Sequence, residues 1–453
     1  MSVLRKVKIK TNVQLPPIHP HAAGVDIGAK QIQVAVPCDA DPKPVRTFTT
    51  FTDDLYALRD WLKACGVRTV AMESTGVYWI PLFQILEAAG LEVCLVNARH
   101  CKNLPGRKTD VSDCQWLQYL HSVGLLRASF RPPEAICAVR AFLRHRANLV
   151  RYASQQVMQL HKALTQMNVQ IHNVISDVVG VTGLAILDAV LAGERDGQKL
   201  AALKDRRIKA SADTIARSLR GDWRPEHLFA LRQALATWRH YQQLITECDA
   251  ATAQTLAGFE SRVDVQANPP PPSTLRHKTP HANEPRFEAR TELYRITGVE
   301  LTQVPGFQVN TALTLFGELG PDFVMRFPTA KCFASWLGLC PDNRITGGRV
   351  ISVKTRDVKS RAAQALQVAA QALWQSKTYL GDCFRRWKAR LGTPKAITAM
   401  AHKLARILWH LLKYRKAYDP AVWTVAEEKL RRRKLKRLEQ NAAAFGFKLV
   451  PTT

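Results

Sequence analysis

Residues 24–36 read Gly-Val-Asp-Ile-Gly-Ala-Lys-Gln-Ile-Gln-Val-Ala-Val, and the fold prediction for the first part of the chain starts from them. Both ends of this stretch are short apolar runs, and the residues between them have the length of a hairpin turn. We therefore predict two strands paired as a hairpin. Asp26 ends the first strand, where its carboxylate would lie at the edge of a sheet.

Residues 20–130 continue this pattern by alternating between strand-like and helix-like runs. Three strands come first, and helices and single strands then follow in turn, which is the order of an RNase H-like α/β domain. The predicted strands lie near residues 23–28, 31–37, 46–51, 68–73 and 92–96, and the predicted helices lie near residues 54–64, 79–89 and 110–123.

Three more carboxylates occupy comparable positions in this pattern. Glu73 directly follows the strand-like run 68–72, and Asp110 and Asp113 are spaced to share one face of a predicted helix. Hard divalent cations such as Mg²⁺ prefer oxygen ligands, and two of them about 4 Å apart stabilise the attacking and leaving oxygens of a phosphodiester. Together with Asp26, these acids predict metal-dependent phosphoryl transfer on nucleic acid. The alternative is a set of solvated charges, with Asp110 as a helix cap.

The composition points to a polyanionic partner. Lysine and arginine number 65 against 37 acidic residues, which gives a net charge of +28 and favours binding to DNA or RNA. No apolar run approaches the roughly 20 residues that span a bilayer, and the first residues lack the apolar core of a signal peptide. Ten cysteines without a Cys-x-x-Cys pair fit reduced thiols. We predict a cytoplasmic protein that needs no membrane.

A long helix is predicted to open at Pro132-Pro133 and to form an arm over residues 131–260. Its apolar residues repeat every seven positions, as in a coiled-coil seam, with Arg146 as the exception. The repeat favours oligomerisation, and the alternative is an αα-hairpin with a later helix at 225–260. The seam positions are Ile136, Val139, Leu143, Val150, Ala153, Val157, Leu160, Leu164, Met167, Ile171, Val174 and Val178.

Beyond the arm, residues 261–290 form a predicted proline-rich linker, and residues 291–420 read as a mainly helical domain. Its start, Leu301 to Ala312, resembles a helix-hairpin-helix, in which Gly306 and the next helix's N–H groups would meet a phosphate; a plain αα-turn is the alternative. Residues 421–453 form a basic tail, for which phosphate contact is favoured over a merely solvated run.

Motifs over most of the chain, outside 180–290 and the termini, point to one family. Those of the first domain are Gly24-Val-Asp-Ile-Gly28, Met72-Glu-Ser-Thr-Gly-Val-Tyr78 and Lys108-Thr-Asp-Val-Ser-Asp-Cys-Gln115. Those of the last domain are Val304-Pro-Gly306, Phe333-Ala-Ser-Trp-Leu-Gly-Leu339, Pro341-Asp-Asn-Arg-Ile-Thr-Gly-Gly348 and Ala401-His-Lys-Leu-Ala-Arg406. They resemble the DEDD RuvC-like and C-terminal domains of the transposases of bridge-RNA-guided insertion sequences, a family that includes Piv-type DNA invertases.

The resemblance implies a prokaryotic, nucleoid-associated DNA transposase. The four RuvC-like acids would hold Mg²⁺ or Mn²⁺, and a hydroxyl of the C-terminal domain would attack DNA and become linked to it. A noncoding bridge RNA would pair with donor and target DNA, and protomers would assemble as a dimer or tetramer around the two duplexes. Such a protein–DNA ester conserves the energy of the broken bond, so strands are resealed without ATP.

One departure from the family concerns the nucleophile. The family has a serine directly before Gly-Gly, and this chain has Thr346 there, before Gly347-Gly348. Threonine carries the same hydroxyl, but its β-branch restricts χ1. We rank Thr346 first, because the glycines allow close approach to a phosphate; Ser352 as substitute nucleophile and an impaired copy are the alternatives. The residues predicted to neutralise the DNA backbone nearby are Arg349, Lys354, Arg356, Lys359 and Arg361.

Two other functions remain open from the sequence. In a hydrolytic RuvC-like junction nuclease, water attacks and the C-terminal domain only binds. In a non-catalytic scaffold, the same basic surface holds DNA or RNA without cutting it.

Overall fold

The computed structural model describes residues 16–74, 76–97, 113–272 and 283–450, and the chain divides into two compact units between residues 131 and 132. The first unit is built on a mixed sheet with the strand order β3-β2-β1-β4-β5. Strands β1, β2 and β3 pair antiparallel, whereas β4 pairs parallel with both β1 and β5. The strands are β1 (Ala22–Ile27), β2 (Gln31–Ala35), β3 (Val45–Thr49), β4 (Thr69–Glu73) and β5 (Glu92–Val96).

Helices cover both faces of this sheet. Side chains alternate along a strand, so Val25 and Met72 face the helices of one layer and Ala71 faces the helix of the other. The first layer holds α1 (Thr52–Ala64) and α2 (Trp79–Ala88), and the second holds α3 (Asp113–Ser122). Five strands in this order with helices on two faces confirm the predicted RNase H-like α/β domain.

Two long helices of the second unit, α4 (Glu134–Gln166) and α8 (Pro225–Ala257), form an antiparallel hairpin. Arg146 of α4 makes a buried ion pair with Asp249 of α8. The exception in the seam is therefore a paired charge. The seam joins two helices of the same chain, as in the αα-hairpin that the sequence offered as the alternative.

The predicted seam was wrong at its C-terminal end, where its last four positions lie beyond helix α4. Helix α4 ends at Gln166, and Asn168 turns the chain with a φ of 53°. The seam positions Ile171, Val174 and Val178 lie beyond the helix, in a lobe where Ile171 and Val178 are buried core residues. These residues are apolar because they pack in the core of the lobe, and their seven-residue spacing does not reflect a continuation of α4.

The lobe at the far end of the arm consists of short helices packed on the ends of α4 and α8. Side-chain hydrogen bonds stabilise the turns of the lobe. The Thr182 hydroxyl accepts a hydrogen bond from the backbone N–H of Asp205, and the Ser211 side chain caps a helix. The helices are a 3₁₀ turn (Ile171–Asn173), α5 (Val181–Leu191), α6 (Gly197–Ala202) and α7 (Ala212–Ser218).

The rest of the second unit is the predicted helical domain, with α15 packed against α12, α13 and α14. The indole of Trp409 on α15 donates a hydrogen bond of 2.9 Å to the carbonyl of Phe327. The elements are α9 (Ala289–Thr297), α10 (Val309–Leu319), α11 (Phe323–Arg326), α12 (Ala330–Trp336), β6 (Arg344–Thr346), β7 (Arg349–Ser352), α13 (Arg361–Ala372), α14 (Tyr379–Leu391), α15 (Thr393–Tyr414) and α16 (Thr424–Ala444), with 3₁₀ turns at Leu301–Gln303, Leu373–Gln375 and Pro420–Trp423.

The described ends of the proline-rich segment are held by hydrogen bonds. The Gln303 side chain donates to the carbonyl of Pro272 at 2.8 Å, and Arg146 donates to the carbonyl of Asn283 at 3.1 Å. Among the described residues, no helix is long and apolar enough to cross a membrane.

Candidate active site

Asp26 is the penultimate residue of β1, and Glu73 is the last residue of the neighbouring parallel strand β4. In the register of β1 and β4, Val25 lies opposite Met72, so the next residue along each strand is one of these acids. Adjacent strands are about 4.8 Å apart. Both carboxylates are half-buried and lie side by side at the same edge of the sheet.

Helix α3 brings Asp113 to that same edge. A Cβ at Gly24 would overlap the backbone of Cys114 and Gln118, so glycine lets α3 lie directly on β1. Gln118 lies one turn after Cys114 on α3. Its side chain donates a hydrogen bond of 3.2 Å to the carbonyl of Ala22, which is two residues before Gly24 on β1. Helix α3 therefore runs antiparallel to β1, and its first residue, Asp113, lies towards the end of the strand.

The alternation of side chains puts these acids on one face of the sheet. Gly24 faces α3, and Asp26 is two residues further on. Ala71 packs under α3 with Leu117, and Glu73 is likewise two residues further on. Asp26, Glu73 and Asp113 thus lie on one face of the sheet and towards one edge of it.

The fourth predicted acid, Asp110, lies outside the described residues. Within the described ranges, no three His, Cys, Asp or Glu side chains are close enough to hold a metal ion. The donor chemistry still fits, because three carboxylates on one face supply the oxygen ligands that Mg²⁺ and Mn²⁺ prefer.

The second set of predicted site residues lies on a β-hairpin. Thr346 and Arg349 face each other across the two-residue turn Gly347-Gly348, whose φ values of 54° and 76° favour glycine. Arg344 pairs with Ser352 on the same face, because these pairs are separated by one intervening pair. Thr346 is exposed and Ser352 is half-buried.

The other face of this hairpin is apolar. Ile345 pairs with Val350, each is 58% exposed, and the bulge in the register lies between Arg344 and Ile345. Sequence reasoning missed that Arg344 and Ser352 share the face of Thr346. The two-residue period outward from Gly347-Gly348 would pair Arg344 with Ile351, and the bulge pairs it with Ser352 instead, so no signal in the sequence shows this placement.

The predicted backbone-neutralising cations follow the hairpin as an exposed, mostly extended segment. Lys354, Arg356 and Lys359 lie between β7 and α13, and only Arg361 begins a helix. They are therefore not one face of a basic helix. Arg356 donates to the Ser335 hydroxyl at 3.2 Å, which ties this segment to the end of α12.

The backbone conformation and close packing at position 306 explain why a glycine is found there. Its φ is 93°, and a Cβ there would lie 2.5 Å from the carbonyl oxygen of Ala369. The turn therefore packs against α13 in a way that only glycine permits. The first helix of the predicted helix-hairpin-helix is only the 3₁₀ turn Leu301–Gln303.

Two transposase family models match the chain. Residues 23–169 match the DEDD transposase model of IS110, and residues 299–383 match the model of the IS116/IS110/IS902 transposase family. The two regions cover just over half of the chain. The chain is a transposase of this family. No curated protein sequence matches it.

The two matched regions of this IS110-family transposase contain the two sets of site residues. The first includes Asp26, Glu73 and Asp113, and the second includes the hairpin with Thr346 and Ser352. Family membership identifies a DNA phosphoryl-transfer enzyme whose DEDD domain indicates the use of divalent metal. The lobe of the arm and the helix α16 lie outside both matches.

An exposed apolar turn follows Glu73 in the transposase. The backbone and hydroxyl of Ser74 both donate to the carbonyl of Val96, at 2.9 and 3.0 Å, and hold the chain as it leaves β4. Tyr78 is 51% exposed, so it is not a core residue. Trp79 packs edge-on against Phe83, with ring centroids 5.6 Å apart.

Among the described residues, no histidine belongs to a group of three or more side chains that could bind a metal ion. His121 lies at the far end of α3 from Asp113, 2.8 Å from the Thr69 hydroxyl, and burial lowers its pKa to about 4. Burial also lowers the pKa of His402 on α15. His100 lies outside the described residues.

Proposed function

We propose that this transposase is a site-specific DNA recombinase of an insertion sequence that cuts and rejoins DNA through a covalent hydroxyl–DNA intermediate. The placement of Asp26, Glu73 and Asp113 on one face and one edge of the sheet is the observation that carries the proposal. Strand-end carboxylates on one face are the arrangement that phosphoryl transfer with divalent metal requires.

In this proposal Asp26, Glu73, Asp110 and Asp113 hold Mg²⁺ or Mn²⁺. When bound, such cations neutralise the charge that develops on the attacking and leaving oxygens of a phosphodiester. Asp26, Glu73 and Asp113 are half-buried, which limits their exposure to water.

The Thr346 hydroxyl is the proposed nucleophile. Its oxygen forms a bond to phosphorus and loses its proton, and the scissile P–O bond breaks, so that the released sugar oxygen takes up a proton. Thr346 is exposed beside Gly347-Gly348, which let a phosphate approach, and Arg349 lies on its face of the hairpin to neutralise that phosphate. Gly306 and the cations from Lys354 to Arg361 would bind the flanking backbone.

Ser352 remains the specific alternative, because it lies on the same hairpin face as Thr346. Its lower exposure and greater distance from the glycine turn favour Thr346. If Thr346→Ser supports recombination and Ser352→Ala leaves it unchanged, the hydroxyl at position 346 is the reacting group.

The decisive test traps the covalent adduct. The full chain, purified with its RNA, is incubated with metal and labelled DNA that matches that RNA, and the modified peptide is mapped by mass spectrometry. We expect the adduct on Thr346, its loss in Thr346→Ala and its retention in the matched control Ser352→Ala. An adduct on Ser352 would reverse the assignment.

The same assay separates the alternative functions. Metal-dependent cleavage without any protein–DNA adduct identifies a hydrolytic junction nuclease. Binding without cleavage, even with the cognate RNA, identifies a non-catalytic scaffold.

The proposed partners are donor DNA, target DNA, a noncoding bridge RNA and further copies of the chain. The RNA and the assembly into a dimer or tetramer rest on the family resemblance, and the nucleoid of a prokaryotic cytoplasm is the matching location. Sequencing of co-purified RNA and measurement of the mass of the complex test these proposals directly.

A further inference from the structure

The positive charge of the transposase is concentrated at its C-terminal end. Residues 353–450 hold 23 lysines and arginines against 6 acidic residues, so this stretch carries +17 of the net charge of +28. Among its described residues, Asp382 is the acid that forms salt bridges, with Arg385 and Lys434. Such an uncompensated excess repels itself unless a polyanion binds.

Helix α16 holds the densest part of this charge and is docked at its start. Trp423 stacks on Tyr379 with ring centroids 5.2 Å apart, and the Lys403 ammonium lies 4.1 Å from the Trp423 ring centroid. Further along α16, Lys434 pairs with Asp382 of α14 at 3.0 Å. An exposed helix thus has a fixed direction on the domain.

Four of the other cations of α16 define a second face. Lys429, Arg432, Arg433 and Lys436 follow the spacing i, i+3, i+4, i+7, which places them in one stripe along a helix. At 100° per residue, this stripe lies on the side opposite Lys434. All four residues are exposed. We call them the α16 stripe.

We propose that the α16 stripe binds the phosphate backbone of duplex DNA. Four neighbouring cations on one exposed face of a helix repel one another unless a polyanion neutralises them. Helix α16 contains no aromatic residue on which an unpaired base could stack, and single-strand binding relies on such stacking. A straight row of fixed cations instead suits the regular phosphates of a duplex.

This binding would position DNA and carry no sequence information, because phosphate contacts fix register and orientation only. The proposal rests on family membership for the identity of the nucleic acid and is independent of which hydroxyl attacks. It assigns a role to a helix that lies beyond the matched family regions.

The test measures how salt affects the binding of the full chain to a labelled DNA duplex of unrelated sequence. Replacing Lys429, Arg432, Arg433 and Lys436 by glutamine should lower the slope of log affinity against log salt by about 3 to 4. Each neutralised phosphate contributes about 0.9 to that slope. Affinity at fixed salt should fall roughly tenfold or more.

The matched control removes four exposed cations from the lobe of the arm, namely Arg206, Lys209, Arg217 and Arg220. This control changes the net charge by the same amount as the stripe variant. Because its residues lie outside the α16 stripe, the slope should stay within about 1 of the parent value. An equal drop in both variants would show a general effect of charge and would overturn the proposal. An unchanged slope in the stripe variant would do the same.

Probes of duplex RNA and single-stranded RNA complete the design. We expect the stripe substitutions to weaken duplex DNA binding most; a larger loss on either RNA probe would assign the stripe to RNA instead. Adduct formation on a matched substrate, measured at saturating DNA, should persist in the stripe variant, which separates failure of this proposal from failure of the proposed chemistry.

Discussion

Single residues in this transposase show how strongly burial changes the cost of a charge. Arg146 and Asp249 are 9% and 2% exposed at the side chain, whereas Arg239 and Asp188 on the same arm are about half exposed. Removing one partner of a buried pair leaves an uncompensated charge away from water, and an exposed pair is already solvated.

Asp249→Asn should therefore destabilise the second unit by about 3 to 5 kcal/mol. The guanidinium of Arg146 would lose its counter-charge inside the arm. The matched control Asp188→Asn removes the exposed partner of Arg239 and should cost at most about 1 kcal/mol. Urea unfolding followed by circular dichroism measures both, and equal costs would contradict the argument.

His121 should make the stability of the first unit depend on pH. Burial lowers its pKa from 6.5 to about 4, so between these values the unfolded chain binds a proton that the folded chain does not. Stability is then full above about pH 6.5 and falls as the pH drops towards 4. His121→Gln should flatten this dependence in thermal unfolding curves recorded across that range. A variant as pH-sensitive as the parent would show that another group is responsible.

At the scale of elements, helix α3 packs directly on the backbone of strand β1. The contact occurs at Gly24, where any side chain would meet the backbone of Cys114 and Gln118. Since α3 begins at Asp113, this glycine sets the position of one site acid relative to Asp26.

Gly24→Ala should shift α3 and cost about 1 to 3 kcal/mol by overpacking. Metal-dependent DNA cleavage should fall more than stability alone explains, because Asp113 moves with its helix. Gly258→Ala is the control, since Gly258 has an ordinary φ and a Cβ there would make only a normal contact at 3.5 Å. Wild-type cleavage by a folded Gly24→Ala variant would refute the positioning role.

The sequence predicted the elements of the sheet well, because their patterns are local. Strand β5 agrees at both ends, and α2 agrees to within one residue. The end of α4 was not predictable from spacing, because the left-handed turn at Asn168 and the lobe's core determine it. The shared face of Thr346 and Ser352 was also missed, since it depends on the hairpin register.

At the scale of the whole molecule, chemistry and binding should be separable by mutation. The acids lie in the first unit. The α16 stripe and the cations that follow the β6–β7 hairpin lie in the second unit. The mixed-sheet fold and the helical domain followed from the sequence, and the roles of the four acids stay predictions. A pattern of strands and helices does not specify how the acids would be arranged around an ion, because that arrangement depends on atomic positions.

Asp26→Asn should abolish metal-dependent strand cleavage and adduct formation while it leaves DNA affinity and its salt dependence unchanged. The substitution removes one anionic ligand without changing the shape of the strand. Binding titrations and the adduct assay on the same preparation measure both properties. Cleavage at the parental rate would exclude Asp26 from the chemistry, and lost binding would favour a scaffold role for the first unit.

The length of the helical hairpin formed by α4 and α8 determines how far the arm extends. The two helices are each 33 residues long, which corresponds to about 50 Å. Because one helix leaves and the other returns at the same place, gaining or losing seven residues in both would change the arm's reach by about 10 Å and preserve the seam. Relatives that span different separations could therefore differ in this one dimension and keep the same chemistry.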